Sequence, residues 1–579
     1  MNDKYVLSAE GLSIEFATGG DTVHAVNNVG LELFPGTTHG LVGESGSGKS
    51  VTALAIMRLL SRTTARVLSG RVLFDHPQRG KVDLLRLPEK EMQRVRGNHI
   101  AMIFQEPMTS LNPVKRCGPQ IMESILLHGK ATRYEAHKLA IKLIGEVRLP
   151  QPERIMRAWP HELSGGQKQR VMIAMAMACN PSVLIADEPT TALDVTVQKN
   201  ILELMKHLLQ QHDMAMLFIS HDLGVIHEVA DTASVMKDGS IVESGSVHQL
   251  FTAPGHPYTR ALVACRPALD SRPEKLATVE DFLSDDNQTT AFKKDASHKT
   301  GPHAWQINTK GTTPILEVRN LKTQFVTGKN FWGKATGHHP AVDDISFEVY
   351  PGETLGMVGE SGCGKTTLGR SILRLIDASS GKVIYKGRDM ASLSGKELRK
   401  LRPKFQVIFQ DPYASLTPGI SIGNAIMEPM KVHGISGDKA SRTRRVMELL
   451  KQVGLREEHY YRYPHEFSGG QRQRISIARA LSLEPEFLVC DEAVSALDVS
   501  VQAQVLNLLN DLKTVFGLTY IFISHDLSVV RYMSDRIMVM QQGKMVEITD
   551  ADSIYTQPGN TYTRELIESI PGFHQQPKT

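Results

Sequence analysis

Short aliphatic runs alternate with longer amphipathic segments along this chain of 579 residues. The short runs include HGLVG (39–43), VLIAD (183–187), MLFIS (216–220) and TLGMVG (354–359), whose length and composition are typical of buried strands. A Gly-rich loop and then an apolar helical segment, ALAIMRLL or GRSILRLI, follow the first and the last of these runs. The alternation predicts an α/β fold with a largely parallel sheet in each half of the chain.

The chain is a tandem repeat. GESGSGKS at 43–50 returns as GESGCGKT at 359–366, and the blocks FQEPMTSLNP, LSGGQ, LIADE and FISHDL also return in the same order. Equivalent residues in the later blocks, such as Ser164 and Ser468, are 304 positions apart, whereas Lys49 and Lys365 are 316 apart. The first half therefore has extra residues between Lys49 and Gln105, and the polar, turn-rich stretch 75–91 is where we expect them.

Composition excludes several classes of protein. The 41% apolar and 22% charged residues are typical of a globular protein, and no run reaches the 18 apolar residues of a membrane-spanning helix. The N-terminus lacks the pattern of a secretory signal, so we expect a cytosolic protein. Five scattered cysteines without a CxxC pair argue against disulfides and zinc sites, and the small net charge of +4 gives no reason to expect nucleic acid.

The blocks at 43–50 and 359–366 match the P-loop pattern GxxxxGK[ST] between a strand and a helix. Backbone N–H groups of such a loop cradle phosphates at a helix N-terminus. Lys49 and Lys365 are expected to reach the β- and γ-phosphates, and the hydroxyls of Ser50 and Thr366 to ligate Mg²⁺. Flexible surface turns are the alternative, but two matches in register with the right flanks make that interpretation a poor one.

A carboxylate pair ends a later strand in each half, as Asp187-Glu188 and Asp491-Glu492. In P-loop enzymes the Asp of such a pair holds magnesium, and the adjacent Glu is placed to polarise the attacking water. A lone Asp-Glu pair is usually solvated surface charge, but its position after a strand that follows a P-loop favours catalysis.

The blocks LSGGQ and FSGGQ resemble the signature of the ATP-binding cassette family, and the chain as a whole resembles a fused pair of such cassettes. The resemblance implies two nucleotide-binding domains at 1–269 and 314–579, each with a RecA-like α/β core and a helical signature subdomain, joined by a linker at 270–313. It also implies a head-to-tail sandwich in which the signature of each half completes the ATP site of the other. Neither composite site lacks a family motif.

The resemblance assigns residues to roles. The nucleotide-binding residues of the first half are Gly43, Ser45, Gly46, Gly48, Lys49, Ser50, Val51, Ser164, Gly165, Gly166, Gln167 and Asp194. Those of the second half are Gly359, Ser361, Gly362, Gly364, Lys365, Thr366, Thr367, Ser468, Gly469, Gly470, Gln471 and Asp498. The catalytic residues are Glu188, His221 and Gln105 in the first half and Glu492, His525 and Gln410 in the second. The magnesium ligands are Ser50, Gln105 and Asp187, and Thr366, Gln410 and Asp491.

Each half ends in a related tail, PGHPYTRALVACRP at 254–267 and PGNTYTRELIESIP at 558–571. These tails resemble those of the dipeptide, oligopeptide and nickel branch of bacterial importers, and the fused arrangement is similar to that of glutathione-importer ATPases. The resemblance implies an ATPase subunit on the cytoplasmic face of the bacterial inner membrane. Its implied partners are two transmembrane permease subunits, seated near 105–113 and 410–418, and a periplasmic or lipid-anchored substrate-binding protein.

The sequence leaves two alternative functions open. A soluble tandem cassette protein acting on ribosomes or DNA also lacks membrane helices, but the charged helical linker or CxxC modules of those groups are missing here. An exporter motor with the same architecture is disfavoured by the tails.

Two cysteines in these motifs call for separate predictions. Some relatives hold an iron–sulfur cluster after the tail motif, but Cys265 alone is too few ligands, so we expect none. Cys363 inside the second P-loop is either a redox-sensitive thiol or, as we favour, a small residue at a variable position.

Overall fold

The computed structural model describes residues 4–18, 21–61, 63–105, 110–129, 131–191, 193–267, 272–283, 312–329 and 335–570. They form two compact units, one within Met1–Val263 and one within Ala264–Phe573. No helix among these described residues is both long and apolar enough to cross a membrane.

Two sheets form the frame of the first unit. Its strands are β1 (Leu7–Thr18), β2 (Asp21–Leu33), β3 (Thr38–Val42), β4 (Ala65–His76), β5 (Gly80–Asp83), β6 (Ile100–Ile103), β7 (Val183–Asp187), β8 (Ala215–Ser220), β9 (Thr232–Lys237) and β10 (Ser240–Ser246). One sheet is antiparallel, in the order β2-β1-β4-β5, and the other has the order β10-β9-β3-β8-β7-β6. In the second sheet only β10 runs antiparallel to its neighbour. Every residue of β7 and β8 is buried, as expected of parallel strands covered on both faces.

Helices surround the large sheet and also form a separate group. They are α1 (Lys49–Ile56), α2 (Glu89–Val95), α3 (Cys117–His128), α4 (Arg133–Glu146), α5 (Pro152–Arg157), α6 (Gly165–Met177), α7 (Val195–His212), α8 (Leu223–Val229), α9 (Val247–Thr252) and α10 (Pro257–Ala264). Helices α3 to α6 pack on one another and carry the SGGQ block at the start of α6. The arrangement is the helical signature subdomain that the sequence predicts, appended to an α/β core.

The second unit repeats this architecture. Its strands are β11 (Leu316–Lys329), β12 (Ala335–Val349), β13 (Thr354–Val358), β14 (Ser380–Tyr385), β15 (Arg388–Asp389), β16 (Phe405–Ile408), β17 (Phe487–Asp491), β18 (Thr519–Ile523), β19 (Arg536–Gln541) and β20 (Lys544–Asp550). The sheet orders are β12-β11-β14-β15 and β16-β17-β18-β13-β19-β20, the counterparts of the first unit. The chain is therefore duplicated in fold as well as in motif.

A short helix precedes this repeat, and ten more belong to it. They are α11 (Val279–Leu283), α12 (Lys365–Ile372), α13 (Gly395–Leu401), α14 (Pro412–Ser415), α15 (Ile422–His433), α16 (Lys439–Gln452), α17 (Gly469–Leu481), α18 (Val499–Phe516), α19 (Leu527–Met533), α20 (Ser553–Thr556) and α21 (Thr561–Glu568).

The extra residues of the first half lie in two places rather than one. Phe74 pairs with Leu7 as Tyr385 pairs with Leu316, so these two aromatic residues occupy equivalent positions. They are 311 positions apart, compared with 316 for Lys49 and Lys365. Part of the insertion therefore lies before Phe74, ahead of and within β4, and only the rest falls in the polar stretch at 75–91. The polar composition of the sequence indicated only the stretch 75–91, because some of the residues added before Phe74 lie in the regular strand β4.

Part of the predicted linker is packed against the second unit. Residues 272–283, here called the strap, lie on α18 and α19. The side chain of Asn507 accepts from the Leu276 N–H (2.9 Å) and donates to the Leu276 C=O (2.8 Å). The Tyr532 hydroxyl donates to the Glu274 C=O at 3.3 Å, and Arg272 Nε donates to the Tyr532 C=O at 3.1 Å. Leu276 is buried, so the strap contributes a small apolar contact as well as hydrogen bonds.

Asn507→Ala should release the strap without unfolding the second unit. The substitution removes both partners of the Leu276 backbone, and an unsatisfied buried group costs about 1–3 kcal/mol. We expect amide hydrogen exchange in residues 272–283 to accelerate by about tenfold or more, while exchange in β17 and β18 is unchanged. Glu203→Ala, at the equivalent exposed position of α7, is the matched control and should leave the strap protected. Equal strap protection in Asn507→Ala and the wild type would contradict this assignment.

Candidate functional site

The P-loop of the first unit connects β3 to α1. Gly46 and Gly48 have φ values of 82° and 101°, a left-handed conformation that glycine adopts without steric cost. At Gly48 a Cβ atom would lie 2.4 Å from the Ala25 carbonyl oxygen, so the loop also needs glycine for close packing. Gly362 and Gly364 repeat the left-handed conformation in the second unit.

The P-loop lysine of each unit is buried and held by carbonyl groups. Lys49 Nζ donates to the carbonyl oxygens of Gly43 and Glu44, both at 2.7 Å. Lys365 Nζ donates to those of Gly359 and Glu360 at 2.6 and 2.9 Å. An ammonium group withdrawn from water requires such partners, and these ones hold it inside the curve of the loop.

A hydroxyl and a carboxylate meet beside each loop. Ser50 Oγ donates to Asp187 Oδ1 at 3.0 Å, and Thr366 Oγ1 donates to Asp491 Oδ1 at 2.8 Å. Burial raises the pKa of both carboxyl groups, although the hydroxyl bonds oppose it. A hydroxyl and a carboxylate are oxygen ligands of the kind Mg²⁺ takes in small number from protein. The structure thus brings together two of the three predicted metal ligands in each unit.

The third predicted metal ligand of the first unit, Gln105, instead contacts Glu188, the residue that follows Asp187. Gln105 Nε2 donates to Glu188 Oε2 at 3.0 Å, while His221 Nδ1 lies 3.1 Å from Glu188 Oε1. Thr191 Oγ1 donates to Oε2 at 2.9 Å. The three predicted catalytic residues therefore form one hydrogen-bonded cluster, with Thr191 as a member that the motif comparison missed.

Glu188 and Glu492 share an unusual backbone conformation. Their φ values are 46° and 50°, in the left-handed region that non-glycine residues rarely adopt. Each N–H donates to a carbonyl of the adjacent strand, at Ile219 or Ile523, both at 3.0 Å. Strain of this kind persists only where the surroundings impose it, and it turns each glutamate out of the strand toward its histidine.

Hydrogen bonds keep these glutamates ionised. Burial raises the pKa of Glu188, but the bond and charge of His221 and the bond from Thr191 outweigh it, so the pKa lies below its ordinary value. The pKa of Glu492 is lowered in the same way, with burial opposed by His525. Burial lowers the pKa of His525, yet Glu492 raises it further, so that the net shift is upward. Both glutamates can therefore accept a proton at neutral pH.

The second unit keeps the same residues around its glutamate, with three differences in their contacts. Gln410 Nε2 donates to Glu492 Oε2 at 2.8 Å, and His525 Nδ1 lies 3.4 Å from the same oxygen. Ser495, the counterpart of Thr191, donates to the Glu492 backbone carbonyl rather than to its carboxylate. Arg370, which stands where the first half has Leu54, lies 3.7 Å from Asp491 Oδ2. Two of these differences are visible in the sequence repeat, as Thr191 against Ser495 and as Leu54 against Arg370.

The signature residues form a separate site in each unit. Ser164 caps α6, where its Oγ accepts from the Gln167 N–H at 3.3 Å and its own N–H donates to Gln167 Oε1 at 3.1 Å. Ser468 and Gln471 form the same capping box at the start of α17. Among the described residues these bonds stay within the signature motif and do not join it to the P-loop cluster of its own unit.

Packing explains the second glycine of each signature. A Cβ atom on Gly166 would lie 2.6 Å from Val197 Cγ1, and one on Gly470 would lie 2.2 Å from Val501 Cγ1. These valines lie in the first turn of α7 and α18, directly after Asp194 and Asp498, which stand at the helix N-caps. The signature helix therefore packs tightly on the helix that Asp194 or Asp498 caps.

The remaining predicted binding residues surround the loops. Ser45, Gly46, Ser361 and Gly362 are exposed at the loop tips, whereas Gly43, Gly359 and Cys363 are buried. The partly buried side chain of Val51 packs against the core. Burial raises the pKa of the Cys363 thiol, which favours the packing interpretation of this residue over the redox one. Residues 106–109 of the predicted permease seat lie outside the described residues.

Comparison with known proteins gives the same assignment. The ABC transporter family model matches residues 26–191 and 342–495. The model of the oligopeptide/dipeptide transporter C-terminal region matches 242–290 and 546–579, which include both tails.

Curated relatives match along the whole chain. The glutathione import ATP-binding protein GsiA of Salmonella choleraesuis (strain SC-B67) is 48% identical over 573 residues, covering 99% of this chain and 90% of the relative. Its namesake from Escherichia coli (strain K12) is 48% identical over 566 residues, covering 98% and 89%. A solved dimeric ATP-binding cassette, in a post-hydrolysis state bound to ADP and Pi, is 26% identical and covers 41% of this chain and 98% of its own, with a TM-score of 0.37.

The family model matches twice, at the two P-loop units, and the relatives span nearly the whole chain. The predicted family, the duplicated α/β cassette fold and the ATPase class are confirmed. The chain belongs to the ATP-binding proteins of ABC transporters and carries two cassettes, each followed by the C-terminal region of oligopeptide and dipeptide transporters.

Proposed function

We propose that this ATPase powers the import of peptides of the dipeptide, oligopeptide or glutathione class through separate permease subunits. The observation that carries the proposal is the 48% identity over 99% of the chain to a glutathione import ATP-binding protein, together with the two transporter tails. Both P-loop clusters are complete, which supports a motor with two working ATP sites. The proposed place of action is the inner face of the bacterial plasma membrane, with a substrate-binding protein on the other side.

The residues divide into holding and reacting groups. The loops at 43–50 and 359–366 hold the phosphates of ATP, with Lys49 and Lys365 neutralising their charge. Ser50 with Asp187, and Thr366 with Asp491, would hold Mg²⁺, and the ion would supply positive charge to offset that of the phosphates.

Glu188 and Glu492 are the general bases. Three donors occupy both carboxylate oxygens of Glu188 in the present geometry. A carboxylate can accept about four hydrogen bonds, and release of one of these donors would free more of it to orient the attacking water. Gln105 is the donor that we expect to move, because it is the first residue of the predicted permease seat at 105–113. Motion at that seat would then free Glu188 to accept the water proton, while His221 keeps the carboxylate oriented. Gln410 and His525 play these parts in the second unit.

Each ATP site is completed by the signature of the other half. The residues that begin the signature helices, Ser164 and Gly165 in α6 and Ser468 and Gly469 in α17, are exposed, and a helix N-terminus is suited to an anion. In the part of the chain that the structure describes, the capping-box bonds of Ser164 with Gln167 and of Ser468 with Gln471 stay within each signature. We propose that the Lys49 site works with Ser468 to Gln471, and that the Lys365 site works with Ser164 to Gln167. Cys265 is the one cysteine in the sequence of the first tail, and the absence of an iron–sulfur cluster remains a prediction.

Glu188→Gln and Glu492→Gln should each retain ATP at the altered site, because the amide preserves the shape but cannot accept the water proton. The double variant should lose about 10²- to 10⁴-fold in ATP turnover, the usual contribution of a general base. Phosphate release and the amount of ATP retained per chain are the measurements. Near-normal turnover in the double variant would show that another group is the base.

The same background tests the pairing of the half-sites. In Glu188→Gln, adding Ser468→Arg should abolish ATP retention, because the bulky cation blocks the signature that completes the Lys49 site. Adding Ser164→Arg, the matched substitution in the other signature, should leave it unchanged. Filter binding of radiolabelled ATP after gel filtration measures both, and the reversed pattern would place each signature in its own unit's site.

Affinity purification of the full chain from membranes tests the transport function. We expect two multi-spanning membrane proteins to be recovered with it, and ATP hydrolysis by the recovered complex to rise with a peptide or glutathione carried by the substrate-binding protein. Recovery of ribosomal proteins without membrane proteins would favour the soluble alternative and overturn the proposal.

A further inference from the structure

The tail after each cassette is anchored to the edge strand of the large sheet. The Glu243 carboxylate in β10 accepts from the N–H groups of Gly255 and His256 at 2.7 and 3.1 Å. The Glu547 carboxylate in β20 does the same for Gly559 and Asn560 at 2.8 and 3.2 Å. One acidic side chain thus fixes the turn that begins the tail helix, α10 or α21, identically in both units.

This anchoring brings a tyrosine of the tail motif to the P-loop. Tyr258 and Tyr562 lie in the first turn of α10 and α21, and both side chains are buried. The Tyr258 hydroxyl accepts from the Glu44 N–H at 3.4 Å, and the Tyr562 hydroxyl accepts from the Glu360 N–H at 3.3 Å. Glu44 and Glu360 are the second residues of the two P-loops.

The peptide group that donates this bond also holds the P-loop lysine. The Glu44 N–H and the Gly43 carbonyl belong to one planar peptide unit, and in a trans peptide they point in opposite directions. The N–H faces the tyrosine hydroxyl, and the carbonyl accepts from Lys49 Nζ at 2.7 Å. The second unit has the same chain from Tyr562 to Lys365, with a distance of 2.6 Å at the lysine. Rotation of this peptide plane would break both bonds together.

The contact recurs although the surroundings of the two rings differ. Lys237 Nζ lies over the Tyr258 ring, 5.2 Å from its centroid, whereas Gln541 occupies the equivalent sequence position in the second half. The two units share the tyrosine hydroxyl, the N–H group that donates to it and the lysine that donates to the carbonyl of the same peptide group. The hydroxyl is therefore the constant element, and the environment of the ring is not.

We infer that Tyr258 and Tyr562 are positioning residues for ATP binding. Each hydroxyl orients the first peptide plane of its P-loop, so that the carbonyl places the lysine ammonium where the phosphates of ATP bind. The tail motif thereby becomes a structural part of the nucleotide site, and this role bears on ATP binding rather than on the transported substrate.

The test replaces both hydroxyls while keeping both rings. The double variant Tyr258→Phe/Tyr562→Phe should raise the KM for ATP by about three- to tenfold, the value of one hydrogen bond, with kcat within about twofold of wild type. Steady-state hydrolysis by the purified full chain measures both constants. An unchanged KM would overturn the inference.

Tyr520→Phe is the matched control for a purely structural effect. Tyr520 is also fully buried, and its hydroxyl donates to a backbone carbonyl outside the P-loop, that of Leu509 at 3.0 Å. We expect this variant to lower the thermal unfolding temperature without changing the KM for ATP. An equal rise in KM in Tyr520→Phe would assign the effect to general loosening of the fold and overturn the inference.

A double-mutant cycle tests whether the tyrosines act through the lysines. Equilibrium binding of ATP is measured for Lys49→Ala/Lys365→Ala with and without the two Tyr→Phe changes. If the hydroxyls act by placing the ammonium groups, the Tyr→Phe changes have no further effect once those groups are gone. The same fold-loss in both backgrounds would show that the tyrosines act independently of the lysines, which contradicts the inference.

Discussion

A buried lysine ammonium at the end of a parallel sheet is the constraint around which each half of this protein is organised. Lys49 and Lys365 are 5% and 4% exposed, and a charge so far from water is tolerated only when fixed dipoles surround it. Carbonyl groups supply them, and the loop can turn those carbonyls inward because its glycines adopt left-handed conformations. In the proposed ATP site, the phosphates would be stronger partners for the ammonium group than these peptide oxygens.

The glutamates near these lysines carry the opposite charge, which hydrogen-bond donors rather than carbonyl groups stabilise. Their carboxylates are kept ionised by neighbouring hydrogen-bond donors, which contact both oxygens of Glu188 and one oxygen of Glu492. The left-handed backbone of Glu188 and Glu492 adds to this state, because it directs the side chain to the histidine instead of along the strand. Thr191 adds a third donor to the Glu188 carboxylate, whereas its counterpart Ser495 donates to the backbone carbonyl of Glu492.

The sequence predicted most of the site because the relevant residues follow strand ends of a parallel sheet. Ser50, Asp187, Glu188, Gln105 and His221 meet for this reason alone, and the repeat predicts the second set. Thr191, Arg370 and Tyr258 were not predicted, because their roles depend on side-chain direction and on packing between distant segments. The polar composition of 272–283 similarly hid one buried leucine, and the polarity of 75–91 drew attention away from the residues added ahead of Phe74.

The strap gives the order of synthesis a physical consequence. Its partners Asn507, Asp511 and Tyr532 lie 231 to 260 positions farther along the chain. A ribosome has therefore released Leu276 long before its covering helices exist. The contact can therefore form only after α18 and α19 have been synthesised. An interrupted or truncated chain that retained the first cassette would expose this leucine, a mark by which a quality-control protease or chaperone could tell a half-made motor from a finished one.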